Sequence, residues 1–427
     1  MNKGRILLAG AILLAACTAL VSCARAANAG QPETAAEASL AAADPMVMDG
    51  PDMMNPDAVS ENLMTDSYRH LTGLLGDFMY SPYSLKDAFR ILYPASEGKS
   101  RQQMDILFGF GDGETEKLDR TDREMVFRDG IGVKSVNRAF VNEIGAKGGL
   151  YHPEVLGTDQ VDIRMFGPST ADEINAWIAE NTENRVTDLI PKGAVTEESG
   201  AVLVNCLYFL LNWKAEEGTI LWNGKEEIPA FRGEADLMNI KEDGPVDILR
   251  LPYIPADPDS AEEHRYSMVV ICDREENTQD KVDLWMSSKS DKELLQWADF
   301  SGYGGLSGYS EGSYVVPCFE MKTAVSLRTV LEEQGLTAPF DPASQDFSGF
   351  GPLVIDDVLQ GTFIRCDEKG TEAAAATAII MKETALPEEP VVKWVIADST
   401  FAFLIVDETA GEILFQGRVA NPEYTRE

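Results

Sequence analysis

The stretch that runs from Thr371 to Lys382 constrains the fold most, because it suits two different structures. Its alanines and the apolar residues after them are good helix formers, and Thr371 is a suitable helix N-cap. Gly370 comes before this stretch and Pro387 follows it, so an extended segment fits equally well. In an extended chain both charges, Glu372 and Lys382, fall on one face, and the other face is uncharged and begins with small side chains. The residues alone leave open a capped helix, an exposed loop and an inserted strand.

The composition limits the classes of partner. The chain has 427 residues, of which 71 are acidic and 36 basic, giving a formal charge of −35. Such a surface repels phosphate backbones and other polyanions, so we expect no nucleic-acid partner. The length is enough for one large domain or two ordinary ones. Residues 58–427 contain no linker and no internal repeat, which favours a single domain there.

The N-terminus is typical of a secretion signal. Lys3 and Arg5 precede an apolar run that ends in small residues. The run closes with Leu-Val-Ser-Cys23, which resembles a bacterial lipobox, so Cys23 is the candidate for lipidation. Leu-Ala-Ala-Cys17 fits the same pattern and remains an alternative.

This interpretation divides the chain into three parts. They are a lipoprotein-type signal peptide at 1–22, a flexible Ala-, Asp- and Pro-rich tether at 23–57, and a folded domain at 58–427. We expect a secreted protein held by a lipid anchor at a bacterial cell surface or envelope. A soluble extracellular protein with an ordinary signal peptide, or an uncleaved anchor, is the alternative.

Apolar periodicity predicts helices early in the folded part and strands later. Leu85, Phe89 and Leu92 share a helical face after a Ser-Pro start, and further helices are expected at 104–108 and 170–186. The uninterrupted apolar run 202–211 is typical of a central buried strand. The later strand-like segments are 266–272, 313–321 and 358–366, and a closing hairpin is predicted at 401–407 and 412–419. This order favours an α+β domain.

Catalytic motifs have little support. Gly308-Tyr-Ser310-Glu-Gly312 matches the nucleophile elbow of hydrolases, but a strand-like run follows it and no histidine lies downstream. No phosphate-binding loop, zinc-protease motif or paired Cys-x-x-Cys is present. We therefore predict no catalytic residue, no cofactor and no metal, and the protein is not expected to be an enzyme. The histidines are His70, His152 and His264, and the cysteines of the folded part are Cys206, Cys272, Cys318 and Cys366.

Several motifs, in order along the chain, resemble those of one known family. Residues 368–377, Glu-Lys-Gly-Thr-Glu-Ala-Ala-Ala-Ala-Thr, resemble the reactive-loop hinge of inhibitory serpins. Together with the other motifs, they span roughly residues 60–425 of the chain. The other matching segments are Tyr-Ser-Pro-Tyr-Ser-Leu (80–85), Ile-Asn-Ala-Trp-Ile-Ala-Glu-Asn-Thr (174–182), Asp-Leu-Ile-Pro (188–191), Leu-Val-Asn-Cys-Leu-Tyr-Phe (203–209), Asp-Phe-Ser-Gly (346–349) and Phe-Gln-Gly-Arg-Val-Ala-Asn-Pro (415–422).

The resemblance implies an α+β fold of three β-sheets and about nine helices, with an exposed reactive-centre loop. It further implies a suicide inhibitor of serine, or also cysteine, proteases. The protease cleaves the loop and becomes acylated, and the cleaved loop, residues 368–390, inserts into the main sheet and traps it. A serpin-fold protein that does not inhibit and serves binding or structure is the alternative. We expect a monomer.

The resemblance also assigns roles to individual residues. The mobile hinge consists of Glu368, Gly370, Thr371, Ala373, Ala375 and Thr377. Ser81, Ser84 and Asn205 match a polar cluster beneath the sheet where its strands separate, and Gln360 stands where the family commonly has histidine. Trp213 matches the tryptophan at the end of the sheet where insertion begins. The same register places Cys318 beside the strand of Cys366, which makes that pair a candidate disulfide.

The reactive bond is assigned by counting along the loop. Counting forward from Glu368 places it between Thr384 and Ala385, with Met381–Lys382 and Lys382–Glu383 as alternatives. Counting back from Phe401 instead ends near Glu389, because the segment is longer than usual. Ser399-Thr400 also replaces the His-Pro that is common there. Thr384–Ala385 favours an elastase- or subtilisin-like protease, and Lys382–Glu383 a trypsin-like one.

Overall fold

The computed structural model describes most of the folded part of the chain. It covers residues 59–111, 124–128, 131–143, 160–254, 264–274, 281–344, 346–347, 353–371 and 390–424. The predicted signal peptide and tether therefore lie outside the described residues. No helix among the described residues is both long and apolar enough to span a membrane.

Seven α-helices and three short 3-10 helices lie in the described ranges, close to the expected count of about nine. The α-helices are α1 (Leu63–Leu74), α2 (Pro82–Leu92), α3 (Gly98–Phe108), α4 (Thr170–Asn181), α5 (Lys281–Ser288), α6 (Asp291–Ala298) and α7 (Arg328–Glu333). The 3-10 helices are Tyr93–Ala95, Leu237–Asn239 and Ala338–Phe340.

Seventeen strands are described. In chain order they are β1 (Phe78–Tyr80), β2 (Glu124–Arg128), β3 (Ile131–Asn142), β4 (Val161–Arg164), β5 (Ala201–Asn212), β6 (Glu216–Trp222), β7 (Glu226–Ala235), β8 (Ile240–Asp243), β9 (Val246–Pro252), β10 (Tyr266–Asp273), β11 (Glu311–Pro317), β12 (Phe319–Ser326), β13 (Ile355–Asp367), β14 (Gly370–Thr371), β15 (Val392–Ile396), β16 (Phe401–Asp407) and β17 (Glu412–Val419).

The strands form three sheets, as the resemblance implied. The main sheet has the order β12-β13-β14-β5-β3-β2, with β4 paired to β3. A six-stranded sheet has the order β1-β17-β16-β10-β9-β8, and a four-stranded sheet the order β15-β11-β7-β6. Helix α2 is mostly buried and contacts β3 and β5 of the main sheet and β17 of the six-stranded sheet. This places the start of α2 beneath the middle of the main sheet.

Most of the strongly patterned segments adopt the predicted structure. The apolar run 202–211 lies within β5, whose partners β3 and β13 flank it in the main sheet. Strands β16 and β17 form the predicted antiparallel hairpin. Strands and helices are nevertheless interspersed, since β1 precedes α2, so the expected separation into helices first and strands later is wrong.

Two predicted boundaries need correction. The segment 313–321 is not one strand, because the chain leaves the four-stranded sheet at Pro317 and enters the main sheet at Phe319. Proline has no N–H for a ladder, and the next amide, of Cys318, donates to Pro229 O (2.9 Å). Helix α4 ends well before residue 186, since Glu183 and Asn184 have φ of 52° and 61°, the left-handed region that terminates helices.

Strand β15, which follows the predicted reactive loop, is attached to two sheets. It pairs in parallel with β11 at the edge of the four-stranded sheet. The buried side chain of Lys393 reaches the six-stranded sheet, where Nζ lies 2.8 Å from carboxylate oxygens of both Asp247 and Glu242. Burial disfavours the charged amine, but the hydrogen bonds to both carboxylates raise the pKa of Lys393 above its usual value. The C-terminal end of the loop is therefore held by a buried ion pair.

We expect Lys393→Met to lower the free energy of unfolding by about 3–5 kcal/mol, because it leaves Asp247 buried without its main counterion. The midpoint of urea unfolding, followed by circular dichroism, measures this change.

Lys192→Met is the matched control for this substitution. Its side chain is 89% exposed and lies 4.0 Å from Asp172, so its loss should leave the midpoint unchanged. Equal midpoints for the Lys393 variant and the wild type would contradict the prediction.

Candidate functional site

The main sheet changes its pairing at one end. Strands β13 and β5 pair directly and in parallel over most of their length, up to the pair Phe363–Tyr208. Beyond this point β14 lies between them and is antiparallel to both, with Thr371 opposite Cys366 on one side and Leu211 on the other. The two strands are thus hydrogen-bonded to each other along most of the sheet. At its end, the two residues of β14 lie between them.

Gly370 permits this arrangement. Its φ is +139°, a conformation that side chains rarely allow, and a Cβ there would lie 2.4 Å from Leu211 O and 2.6 Å from Asn212 Cα. The turn that joins β13 to β14 therefore requires glycine at this position.

One hinge residue with a side chain, Thr371, already lies inside the protein. Thr371 is fully buried, and its hydroxyl lies 2.7 Å from that of Tyr253. The Tyr253 ring stacks on Trp213 with centroids 5.0 Å apart, and Trp213 Nε1 donates to Asp367 O (2.9 Å). Burial raises the pKa of the Tyr253 phenol well above its ordinary value, so it is a neutral hydroxyl beside Thr371.

A buried polar cluster lies where β13 and β5 are still closed. The side chain of Gln360 uses both of its ends: Oε1 accepts from Ser81 N (2.8 Å), and Nε2 donates to Ser81 O (3.0 Å) and to Asn205 Oδ1 (2.6 Å). Ser81 Oγ in turn donates to Leu414 O (2.7 Å) and accepts from Ser84 N (3.1 Å). Gln360 thus joins the start of α2, strand β13 and strand β5.

The cluster continues across the sheet. Asn205 Nδ2 donates to both the carbonyl and the hydroxyl of Ser84 and to Asn137 Oδ1. Asn137 Nδ2 donates to Ser135 Oγ (2.9 Å), which lies 3.4 Å from Ser84 Oγ. The register explains the row, because Asn205 stands directly opposite Gln360 on β13 and Asn137 on β3.

The structure therefore brings Ser81, Ser84, Asn205 and Gln360 into contact and adds two residues that sequence reasoning missed. Asn137 and Ser135 alternate on β3 in a segment with no distinctive motif, and only the pairing of β3 with β5 places them here. These contacts are all made by amides and hydroxyls. The glutamine, unlike the histidine common at this position, makes its contacts without a charge at any pH.

A small apolar cover lies over the other face of the same strands. A Cβ on Gly361 would lie 2.6 Å from Val186 Cγ1, so the segment after α4 packs closely on β13. Cys206 lies beneath it, and burial raises the pKa of this thiol to about 12. Access to the strands from this face requires the cover to move.

Other predicted residues lie apart from this site or outside the described ranges. Cys318 and Cys366 are both buried and are thiols, with no disulfide between them. Ser310 lies just before β11, and its hydroxyl donates to Val391 O (3.3 Å). A residue that precedes a strand is not on the strand-to-helix turn that a nucleophile elbow requires. Ala373, Ala375, Thr377, Met381, Lys382, Glu383, Thr384 and Ala385 of the loop, and the lipidation candidates Cys17 and Cys23, lie outside the described residues. The described residues contain no cluster of metal-ligating side chains.

Comparison with known proteins identifies the family. The sequence profile of Serpin (serine protease inhibitor) matches residues 59–422. An uncharacterized serpin-like protein of Methanosarcina acetivorans is 28% identical over 397 residues, covering 86% of this chain and 87% of the relative. Serpin-ZX of Hordeum vulgare is 25% identical and covers 83% and 92%, respectively. The chain belongs to the serpin family.

Solved structures have the same fold. The thermophilic serpin tengpin in its native state matches with a TM-score of 0.68 and 19% identity, covering 84% of this chain and 92% of that one. Serpin48 of the insect Tenebrio molitor matches with a TM-score of 0.64 and 23% identity, covering 86% and 98%. The predicted three-sheet serpin fold is confirmed. The expectation of a bacterial, lipoprotein-like N-terminus is not confirmed by these relatives.

Family membership indicates protease inhibition, with a target protease as the partner. The prediction from missing catalytic motifs that the chain is not an enzyme needs correction, because missing motifs do not decide the question. What bears on it is the family, whose members are protease inhibitors and generally not enzymes.

We expect Gln360→Ala to destabilise the protein by about 2–4 kcal/mol, because Ser81 N, Ser81 O and Asn205 Oδ1 lose their partner and a cavity remains. Thermal unfolding followed by circular dichroism measures the effect. The exposed side chain of Gln296 provides the control, since Gln296→Ala should leave the melting temperature unchanged. A melting temperature for the Gln360 variant equal to that of the wild type would show that the cluster contributes nothing.

We expect Gly370→Ala to detach β14 from its two neighbours, because the new Cβ collides with the backbone of β5. Amides of the 366–371 segment should then exchange hydrogen about tenfold faster or more in exchange mass spectrometry. Gly411→Ala is the control, because Gly411 has φ of +69° but no atom within 4 Å of its Cβ position. Unchanged exchange in the 366–371 segment would refute the prediction.

Proposed function

We propose that this serpin is a suicide inhibitor of serine proteases that traps the acyl-enzyme by inserting its cleaved loop into the main sheet. The observation that carries the proposal is β14. Two hinge residues are already paired between β13 and β5, and the next residues of the chain are small and uncharged on the same face. Insertion would lengthen a strand that has already begun.

The register of β14 predicts where the inserted loop would lie. Each further residue of the loop would face one residue earlier on β5, so Thr377 would face Asn205 and Met381 would face Ala201, the first residue of β5. On the other side, Thr377 would face Gln360. The inserting strand must break the bond between Gln360 and Asn205, and a threonine hydroxyl would arrive there to replace it.

The energetics favour insertion once the loop is cut. About a dozen new main-chain hydrogen bonds at roughly 0.5–1.5 kcal/mol each would release on the order of 10 kcal/mol. This is comparable to the stability of a typical domain. The closed pairing of β13 with β5, the polar cluster and the apolar cover would hold the intact protein in its metastable state.

The length of strand that the main sheet could accept between β13 and β5 supports a cut at or beyond residue 381. Chain up to Met381 is needed to fill the sheet to Ala201, and Thr384–Ala385 lies just beyond that point. We therefore propose Thr384–Ala385 as the reactive bond, with Met381–Lys382 and Lys382–Glu383 as alternatives. The first implies an elastase- or subtilisin-like target with a small pocket, and the last a trypsin-like one.

The N-terminal sequence supports a proposal about location. A short apolar run that ends at Leu-Val-Ser-Cys23 would be cleaved and lipidated at Cys23, or at Cys17. The acidic Ala- and Pro-rich segment 23–57 would then separate the inhibitor from the membrane surface. Such an inhibitor would meet proteases outside the cell.

The substitution Ala375→Arg tests insertion. In the register above, Ala375 would lie between Leu207 of β5 and Thr362 of β13, both buried, so an arginine there would bury an unpaired charge, at a cost of several kcal/mol, only when the loop inserts. The variant should be cleaved as a substrate without forming the covalent complex seen in denaturing electrophoresis. Mass spectrometry of the released peptide identifies the bond that was cut.

Glu372→Arg is the matched control, because alternation places residue 372 on the opposite face of an inserted strand. It should still trap protease. Wild-type protein that is cut at the loop without trapping, and gains no heat resistance on cutting, would refute inhibition and leave a binding or structural role.

A further inference from the structure

The C-terminal segment contacts the turn from which the hinge begins. Tyr424 is half-buried, and its hydroxyl donates to Asp367 Oδ2 (3.0 Å). Asp367 is the last residue of β13, and three residues later Gly370 starts β14. A residue at the end of the chain's described part is thus hydrogen-bonded to the first residue of the hinge turn.

The Asp367 carboxylate also shapes that turn. Its other oxygen, Oδ1, accepts from Lys369 N (2.9 Å) within the turn. The turn is also bound to Trp213, the residue that follows β5. Asp367 O accepts from Trp213 Nε1 (2.9 Å), and Lys369 O accepts from Trp213 N (3.1 Å). Rotation of the Asp367 side chain would remove the bond to Lys369, and the Tyr424 hydroxyl opposes that rotation.

The tail that carries Tyr424 is itself fixed to the main sheet. Glu320 N on β12 donates to Glu423 O (2.7 Å). The guanidinium of Arg365 on β13 lies over the Tyr424 ring, 5.0 Å from its centroid, and Arg365 Nη1 lies 3.4 Å from Glu320 Oε2. Tyr424 therefore approaches Asp367 from a rigid position.

We propose that Tyr424 is a positioning residue for loop insertion: through Asp367 it holds the turn 367–370 in the conformation that the inserted hairpin needs. The inference rests on the proposed function in one respect, since a faster start of insertion matters only if the loop inserts. The segment that Tyr424 positions is thus the hinge of its own chain.

The reason lies in the kinetics of hairpin growth. A strand that adds to β13 must first close the turn between them, which costs conformational entropy before any new pairing repays it. Here the turn is formed before cleavage, so insertion can proceed directly from Thr371. After acylation, insertion competes with hydrolysis of the acyl-enzyme, and a slower start of insertion releases more protease with the inhibitor cleaved.

The Tyr424 hydroxyl is a weaker acid here than an ordinary phenol. Burial raises the pKa of Tyr424 to about 12, with the charge of Asp367 acting in the same direction. The phenol is therefore a protonated donor at neutral and mildly alkaline pH.

Tyr424→Phe tests the proposal, because it removes one hydroxyl and keeps the ring beneath Arg365. The stoichiometry of inhibition, the moles of inhibitor consumed per mole of protease trapped, should rise by about threefold or more. The rate at which the loop is first attacked by the protease should not change. A variant with the wild-type stoichiometry would overturn the proposal.

Tyr93→Phe is the matched control. Its hydroxyl also donates to an aspartate, Asp105, and its pKa is likewise raised to about 12, but it lies after α2 in another part of the core. It should leave the stoichiometry unchanged. If both variants raised the stoichiometry equally, the effect would be general destabilisation and the proposed role would be wrong.

Hydrogen exchange of the uncleaved protein separates this inference from the proposed function. Tyr424→Phe should accelerate exchange at the amides of Lys369 and Trp213, whose bonds belong to the turn, and Tyr93→Phe should not. This result would support the positioning role even if wild-type protein trapped no protease. Unchanged exchange at both amides would overturn it whether or not the protein inhibits.

Discussion

The pairing of β13 with β5 is the interaction on which the rest of this structure depends. Two parallel strands are hydrogen-bonded to each other for most of their length, while a two-residue antiparallel strand, β14, begins between them at one end. A sheet can accept a strand there only by breaking the pairing that already exists. The intact protein is thus a closed arrangement with the start of an alternative pairing already built into it.

Three different kinds of force keep the sheet closed. Main-chain hydrogen bonds join the strands, neutral side chains around Gln360 and Asn205 fasten them to the start of α2, and apolar side chains after α4 cover the opposite face. The side-chain bonds are short-ranged and directional, so a small separation of the strands removes them together. The proposed insertion would have to break these bonds as a group. Strand β15, which Lys393 binds to a second sheet, holds the C-terminal end of the loop in place while the main sheet is closed.

Much of the fold was predictable where the sequence pattern is strong. The dense apolar run of β5, the helical stripe of α2 and the hairpin β16–β17 follow from local periodicity, and the series of motifs indicates the family. Prediction failed where the signal is weak or non-local. Strands β6 and β7 carry many exposed acidic residues and resemble surface loops. The break at Cys318 depends on the chain changing sheets, and the row Asn137–Asn205–Gln360 depends on three strands meeting in one register.

The sequence by itself determined the face pattern of the hinge and the small side chains that can pass beneath neighbouring strands. These are local properties, set by the two-residue period of an extended chain and by the size of each side chain. Only the tertiary structure decided which distant groups meet: Gln360 with Asn205, Thr371 with Tyr253, and Tyr424 with Asp367. Hydrogen bonds act over about 3 Å, and strand pairing joins residues far apart along the chain, so no local pattern specifies these partners.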